Sequence, residues 1–187
     1  MTLKLHSCSI VSKVVERLKK GLLIILSGPS GVGKGTVRQE LFKDESLNLA
    51  YSISMTTRKP RPTEKEGVDY FFVSEAEFGN YYGTPQFYVD QLLSEGKNVV
   101  LEIEVQGALQ VMAKCPHALT IFLVPPSMEE LERRIRGRRT EEESIVQERL
   151  AKARKEIATQ NEYKYVVEND DVVAAKKKIA QIIQDNL

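Results

Sequence analysis

The sequence predicts a three-layer α/β fold with a parallel central sheet. Aliphatic runs that read as buried strands alternate with helical patterns along the chain. The first run, Leu22 to Leu26, opens directly into the glycine-rich stretch Ser27-Gly28-Pro29-Ser30-Gly31-Val32-Gly33-Lys34-Gly35-Thr36. One polar, β-rich insertion interrupts the alternation. A chain of 187 residues, 42% of them hydrophobic, is enough for one domain with a proper core.

The glycine-rich stretch carries the most chemistry. Gly28-x4-Gly33-Lys34 has the spacing of a phosphate-binding loop. Its backbone N–H groups, with the N-terminus of the following helix, form an anion cradle, and Lys34 adds a charge for the outer phosphates. A plain glycine-rich turn also fits the spacing, but strand, loop and helix stand here in the required order. The residue after Lys34 is Gly35 rather than Ser or Thr, and the hydroxyl comes one place later, at Thr36. The usual direct magnesium ligand of such loops is therefore in question.

The other elements follow in order. Residues 7–20 read as a short amphipathic helix or an ordered lead-in, with Ile10, Val14, Val15 and Leu18 at helical spacing. Thr36 to Lys43 is expected to be a helix, with Val37, Leu41 and Phe42 inward. Leu49 to Met55 alternates as a strand. Thr56 to Pro62 is too proline-rich for a helix interior. Gly67 to Val73 reads as a half-exposed strand. Ser74 and Glu77 then form a capping box, yet the helix it announces stops at Phe78, before Gly79-Asn80. A one-turn connector capped by Ser74 would account for this. So would a missing segment at Phe78–Gly79, since one turn is not stable alone. Thr84 to Leu93 is a helix with Phe87, Val89, Leu92 and Leu93 as apolar contacts. Asn98 to Val105 is a buried strand, whose period of two puts Glu102 and Glu104 on one face. Two acids on a core strand are costly unless they face a site or find partners. Gly107 to Lys114 is a short helix and Ala118 to Val124 a buried strand. A helix starts at Ser127, with Glu129 and Glu130 in its first turn, and a second runs from Glu141 to about Tyr163. Tyr165 to Val167 is a last strand. Val172 to Asp185 closes the chain as a helix, with Val173, Ile179, Ile182 and Ile183 facing in.

Composition narrows the function classes. A net charge of +1 argues against a general nucleic-acid binder. No run reaches the roughly 18 apolar residues of a membrane span, and serines interrupt the N-terminal apolar stretch, against a secretory signal. Cys8 and Cys115 show neither metal spacing nor a disulfide framework. They fit a reducing compartment, so a cytoplasmic location is expected. His6 and His117 lie outside every motif and read as structural or surface residues. Two arginine groups stand apart: Arg58 and Arg61 around Pro60, and Arg133, Arg134, Arg136, Arg138 and Arg139 around Gly137, with Arg149 beyond. A solvated surface would explain any one of them. The planar guanidinium fork suits phosphate, so one group could hold an acceptor phosphate and the other close over a triphosphate.

With these residues in view, the chain resembles guanylate kinase. The resemblance rests on LSGPSGVGKGT, YSISMTTRKPRPTEKEGVDYFFV, GNYYGTP, LEIEVQG, RRIRGRRTEEES with QERL, and VVENDD, in order over residues 22 to 172. It implies transfer of the ATP γ-phosphate to GMP, with Mg2+, as a step in guanine nucleotide supply; dGMP is a further possible acceptor. It implies a P-loop kinase fold: an extension at 1–20, a core at 21–53, 85–133 and 150–187, a GMP-binding insertion at 54–84, and an arginine-rich lid at 134–149. By the same resemblance Ser54, Arg58, Arg61, Tyr70, Tyr82 and Thr84 hold GMP. The arginines and tyrosines grip its phosphate, and Ser54 and Thr84 sit by the base. Glu104 accepts from the guanine N–H groups, and Glu102 lies near the magnesium waters or Lys34, with Thr36. Arg134, Arg138 and Arg149 meet the ATP phosphates, and Asn169 lies near the adenine. No nucleic-acid or membrane partner is implied.

Two departures from the family stand out. Arg139 occupies a position where the family usually has glycine. Roughly fifteen or more family residues are missing between Phe78 and Gly79, where a helix should continue beyond one turn. A mobile stretch that escapes the sequence in hand is preferred here over a true deletion, because an acceptor domain must move to close. The alternative function is a non-catalytic guanylate-kinase-like module that binds phosphopeptides. Lys34 and the lid arginines favour the enzyme.

Overall fold

The computed structural model describes residues 20–57, 59–60, 64–67, 70–74, 86–137 and 142–187. Five strands form one parallel sheet: β1 (Leu23–Ser27), β2 (Leu49–Tyr51), β5 (Asn98–Glu102), β6 (Leu119–Val124) and β7 (Tyr165–Glu168), in the order β2-β5-β1-β6-β7. A separate pair, β3 (Ser54–Thr56) and β4 (Tyr70–Phe72), lies outside it. Six α-helices accompany them among the described residues: α1 (Lys34–Leu41), α2 (Gln86–Ser94), α3 (Val105–Lys114), α4 (Met128–Arg136), α5 (Glu143–Ile157) and α6 (Val172–Gln184).

Strand period places alternate side chains in two cores. Ile24 and Leu26 of β1 join Val37 and Leu41 of α1 and Ile179 and Ile183 of α6 on one face. Ile25, with Val99, Leu101 and Phe122, meets Val89 and Leu93 of α2 and Val105 and Ala108 of α3 on the other. Helices on both faces of an all-parallel sheet make the three expected layers. Each buried aliphatic contributes roughly 1.5–3 kcal/mol, so β1, buried on both sides, anchors the loop that leaves it. The chain goes to β5 on one side of β1 and β6 on the other. The loop after β1 therefore opens at the switch point of the sheet, where such folds bind ligands.

Several boundaries differ from the sequence reading. The expected strand Leu49–Met55 is two strands in two sheets. Leu49–Tyr51 pairs with β5, Ser52 still donates its N–H to the Val100 carbonyl at 3.1 Å, and Ser54–Thr56 then pairs with β4. Alternation reports a strand but not its partner, so the switch was invisible. The strand expected to reach Val105 ends at Glu102, and Val105 starts α3 because its side chain packs with Ala108 in the core. Glu102 and Glu104 therefore do not share a strand face. Glu104 is the extended residue capping α3 (φ −68°, ψ 160°). The helix after the loop begins at Lys34, two residues early. The long helix ends at Ile157, with a 3-10 turn at Gln160–Glu162 before β7. Phe87 and Val173, expected inward, are 72% and 54% exposed.

The N-terminal helix, the Phe78–Gly79 junction, Glu141 and Arg139 lie outside the described residues. The sequence nevertheless runs directly from Phe78 to Gly79 within its 187 residues. The segment is absent from this chain rather than present and mobile.

Candidate active site

The loop forms because left-handed backbone recurs where only glycine tolerates it: φ is +146° at Gly28, +88° at Gly31 and +101° at Gly33. The tightest approach is at Gly28, where a Cβ would lie 2.4 Å from the Leu123 carbonyl oxygen of β6. An open cavity of about 340 Å³ is lined by Ser30, Gly31, Gly33, Lys34, Gly35, Thr36, Gln39 and Glu102. Pro29 and Val32 are buried beneath it, and Thr36 is exposed on the first turn of α1. A larger groove of about 470 Å³ lies by α1 and α6, but its Lys43 and Lys176 are paired with Glu40 and Asp44. It has no cradle of backbone donors and is not the candidate site.

Lys34 opens α1, and its ammonium folds back on the loop, donating to the carbonyls of Gly28 at 2.6 Å and Pro29 at 3.1 Å. Burial lowers its pKa from the ordinary 10.5, against the opposing charges of Glu102, Glu156 and Glu104. The cationic form is the one that binds phosphate. The alkaline limb of kcat/KM for ATP is therefore expected to begin below pH 10.5, and Lys34→Arg to remove it, as a pH–rate profile would show. The linkage sign follows. A lysine with a lowered folded pKa costs stability while charged, and that cost fades as pH rises from the lowered value towards 10.5.

Glu102, at the carboxyl end of β5, faces the cavity and accepts from Arg38 Nε at 2.6 Å. Arg38 stacks over Tyr51, 4.2 Å from the ring centroid. It was not singled out in the sequence, although its position one turn after Lys34 puts both on one helix face. At Gly35 an added Cβ would sit 3.6 Å from Glu102 Oε1, an ordinary contact. Sterics therefore do not exclude a hydroxyl there. Gly35→Ser is expected to leave stability within about 0.5 kcal/mol, as a thermal melt would show.

Two of the predicted arginines reach the loop. Arg149 donates from Nη2 to Ser30 Oγ at 3.1 Å. Arg134 pairs with Glu130 at 2.7 Å and donates from Nη1 to the carbonyls of Asn169, at 2.9 Å, and Val32, at 3.3 Å. Here it ties α4 to the loop and to the turn after β7. Asn169 is buried and donates from Nδ2 to the Val32 carbonyl at 2.7 Å, while its side-chain oxygen has no partner. Arg133 and Arg136 are taken up by Glu130, and by Glu132 and Glu143. Hydrogen bonds from Arg133 and Arg134 hold the Glu130 carboxyl at about 2, and those from Arg136 and Gln147 hold Glu143 at about 2.

On the acceptor side, Ser54 and Tyr70 are direct partners across β3 and β4. Glu104 meets Lys152 of α5 at 3.0 Å. Arg58, Arg61, Tyr82, Thr84 and Arg138 lie outside the described residues. Lys152 and Glu156 were also missed. Both follow Arg149 on α5 at helical spacing, the only hint in sequence.

Comparison with known proteins identifies the family and the fold. The guanylate kinase family model matches residues 20–186. A guanylate kinase of Bacillus cereus is 53% identical over 183 residues, covering 89% of each chain. That of Latilactobacillus sakei is 50% identical over 181 residues, covering 88% of this chain and 89% of its own. The Bacillus alignment takes in about 166 of the 187 residues here, so roughly 17 of its 183 positions have no counterpart. That shortfall matches the segment absent at Phe78–Gly79 in size. Among solved structures, guanylate kinase from Anaplasma phagocytophilum superposes with a TM-score of 0.69 at 33% identity, covering 88% of this chain and 85% of its own. Shikimate kinase from Bacteroides thetaiotaomicron, at 16% identity and a TM-score of 0.51 over 87% of this chain and 98% of its own, shares the fold alone. By family match, sequence identity and fold together, the chain belongs to the guanylate kinase family.

Proposed function

We infer that the protein transfers the γ-phosphate of ATP to GMP, giving ADP and GDP. Its membership of the guanylate kinase family, with the loop and Lys34 lining one cavity and Arg149 bonded to Ser30 of that lining, carries this reading. The non-catalytic phosphopeptide module is not favoured, because a peptide-binding surface has no use for a phosphate loop with its lysine.

The chain divides functionally into a core at 21–53, 85–133 and 150–187, a GMP-binding insertion at 54–84 and a lid at 134–149. The loop N–H groups from Gly28 to Thr36 cradle the ATP phosphates. Lys34 exchanges its carbonyl partners for phosphate oxygens, and Arg134, Arg138 and Arg149 neutralise the triphosphate. Asn169 lies by the adenine. Arg58, Arg61, Tyr70 and Tyr82 hold the GMP phosphate, Ser54 and Thr84 flank the base, and Glu104 accepts from guanine N1–H and N2–H. A GMP phosphate oxygen attacks the γ-phosphorus in line; the new P–O bond forms as the bond to the ADP oxygen breaks. The attacking oxygen is already anionic, so no side chain need take a proton. Catalysis rests on positioning and charge neutralisation with water excluded.

The donor set fits Mg2+. A carboxylate at Glu102 and a hydroxyl at Thr36 are hard oxygen ligands beside the cavity, and no cluster of three metal-binding side chains exists among the described residues. Such a site suits an ion held largely by waters and phosphate oxygens. Bound there, the ion would screen the phosphate charge. Glu102 and Thr36 would hold its waters. The same acceptor contacts would serve dGMP. No helix among the described residues is long and apolar enough to cross a membrane, and we place the enzyme in the cytoplasm.

A coupled assay of ADP release with ATP plus GMP, AMP or UMP tests the reading. GMP-dependent turnover well above the other two is expected; its absence overturns the assignment.

A further inference from the structure

Glu104 raises a problem that the family reading does not address. A carboxylate that reads a base must be held in place before the base arrives. Glu104 caps α3 through its backbone, yet its side chain makes no capping hydrogen bond and is 55% exposed. The contact that fixes it comes from another element: Lys152 Nζ on α5, 3.0 Å from Glu104 Oε2.

Lys152 is itself 59% exposed, and it is tethered from below. One turn further along α5, Glu156 Oε1 lies 3.7 Å from the same ammonium. The Glu156 side chain is only 10% exposed, and its Oε2 is buried without a hydrogen-bond partner. A buried, half-satisfied carboxylate is strongly destabilising without a cation nearby, so the nearby Lys152 ammonium is favoured within reach of Glu156. The hydrogen bond that Lys152 donates to Glu104 raises the lysine's pKa above the ordinary 10.5, which favours the cationic ammonium in this contact. Glu104 and Glu156 also act electrostatically on Lys34, and Lys152 opposes them.

We propose that Lys152 is a positioning residue for the acceptor base: anchored by Glu156, it holds the Glu104 carboxylate in the orientation that reads guanine. This rests on the assignment of Glu104 to the base. A carboxylate accepts up to about four hydrogen bonds, so Lys152 need not leave when guanine N1–H and N2–H bind. Its ammonium occupies one oxygen and limits the rotation that would let Glu104 swing into water. Preorganisation of this kind acts on acceptor affinity and base discrimination rather than on the chemical step.

Steady-state kinetics with GMP and with inosine monophosphate, which keeps N1–H and lacks the 2-amino group, test the proposal. Lys152→Met is expected to raise KM for GMP about tenfold, leave kcat within about threefold and KM for ATP within about twofold, and lower the preference for GMP over inosine monophosphate about fivefold. Lys152→Arg restores the preference. Glu156→Gln lowers it less than Lys152→Met does. In a Glu104→Gln background, Lys152→Met adds nothing further. The positioning role is overturned if Lys152→Met or Glu156→Gln leaves the preference unchanged, or if KM for ATP rises as much as KM for GMP. If Glu104→Gln alone leaves the preference intact, the base assignment itself fails, and this inference with it.

Discussion

Lys34→Ala is expected to lower kcat by roughly a thousandfold or more, the scale of losing a principal charge on a transferring phosphoryl group. Its effect on stability should be small. The two hydrogen bonds from its ammonium to Gly28 and Pro29 are each worth about 1.5–3 kcal/mol, as bonds from a charged donor, and their loss is set against relief of the burial that lowers the lysine's pKa. The pairing of a nearly unchanged melting temperature with a collapsed kcat separates a phosphate role from a structural one. GMP affinity, measured by calorimetry, should persist, because the acceptor contacts lie elsewhere. A variant within tenfold of the parent rate would refute the role of Lys34.

Gly28→Ala is expected to be the most damaging small change in the loop. Its φ of +146° excludes ordinary L-residues, and the new Cβ would lie 2.4 Å from a backbone carbonyl of β6. That carbonyl belongs to Leu123, next to Phe122, which is in register with Ser27 across the β1–β6 pair. Neither strand can retreat without opening the centre of the sheet. A loss of about 3 kcal/mol or more follows, or a fall of roughly 10 °C in Tm for a chain of this size. Gly107→Ala is the control. Gly107 lies inside α3 with nothing within 4 Å of its added Cβ, so it should gain about 0.5–1 kcal/mol. Denaturant unfolding of both variants checks the pair; a Gly28→Ala protein as stable as the parent would contradict the observed packing.

The elements most legible in the sequence were those whose signal is local. β1, the loop and α1 follow from an aliphatic run, three glycines and a lysine. The helix start at Ser127 was equally readable, and the structure adds the reason: Glu130 N–H donates to Ser127 Oγ at 3.1 Å. Reading failed where the deciding partner is distant. Nothing near Ser52 says that the chain changes sheets there, because both halves alternate alike. Nothing near Glu104 says that the strand has ended, because Val105 suits a strand and a helix face equally; its burial against Ala108 settles the matter. Val173 and Phe87 were placed inward by helical spacing alone, and the packing of α6 and α2 left them outside.

The same division holds for the site. The sequence by itself determined the chemistry available: a phosphate cradle with Lys34, an arginine-rich region, acids after β5, and no residues between Phe78 and Gly79. Tertiary structure alone decided how those groups are shared out. Arg133 and Arg136 are held by neighbouring acids while Arg149 reaches Ser30. Arg38, unremarked in the sequence, takes Glu102, and Lys152 spans Glu104 and the buried Glu156. The physical reason is that charge and hydrogen-bonding capacity belong to the residue, whereas a partner in hydrogen-bonding reach is brought there by elements far away in the chain. Backbone propensity does not carry that information, and packing of the two cores does.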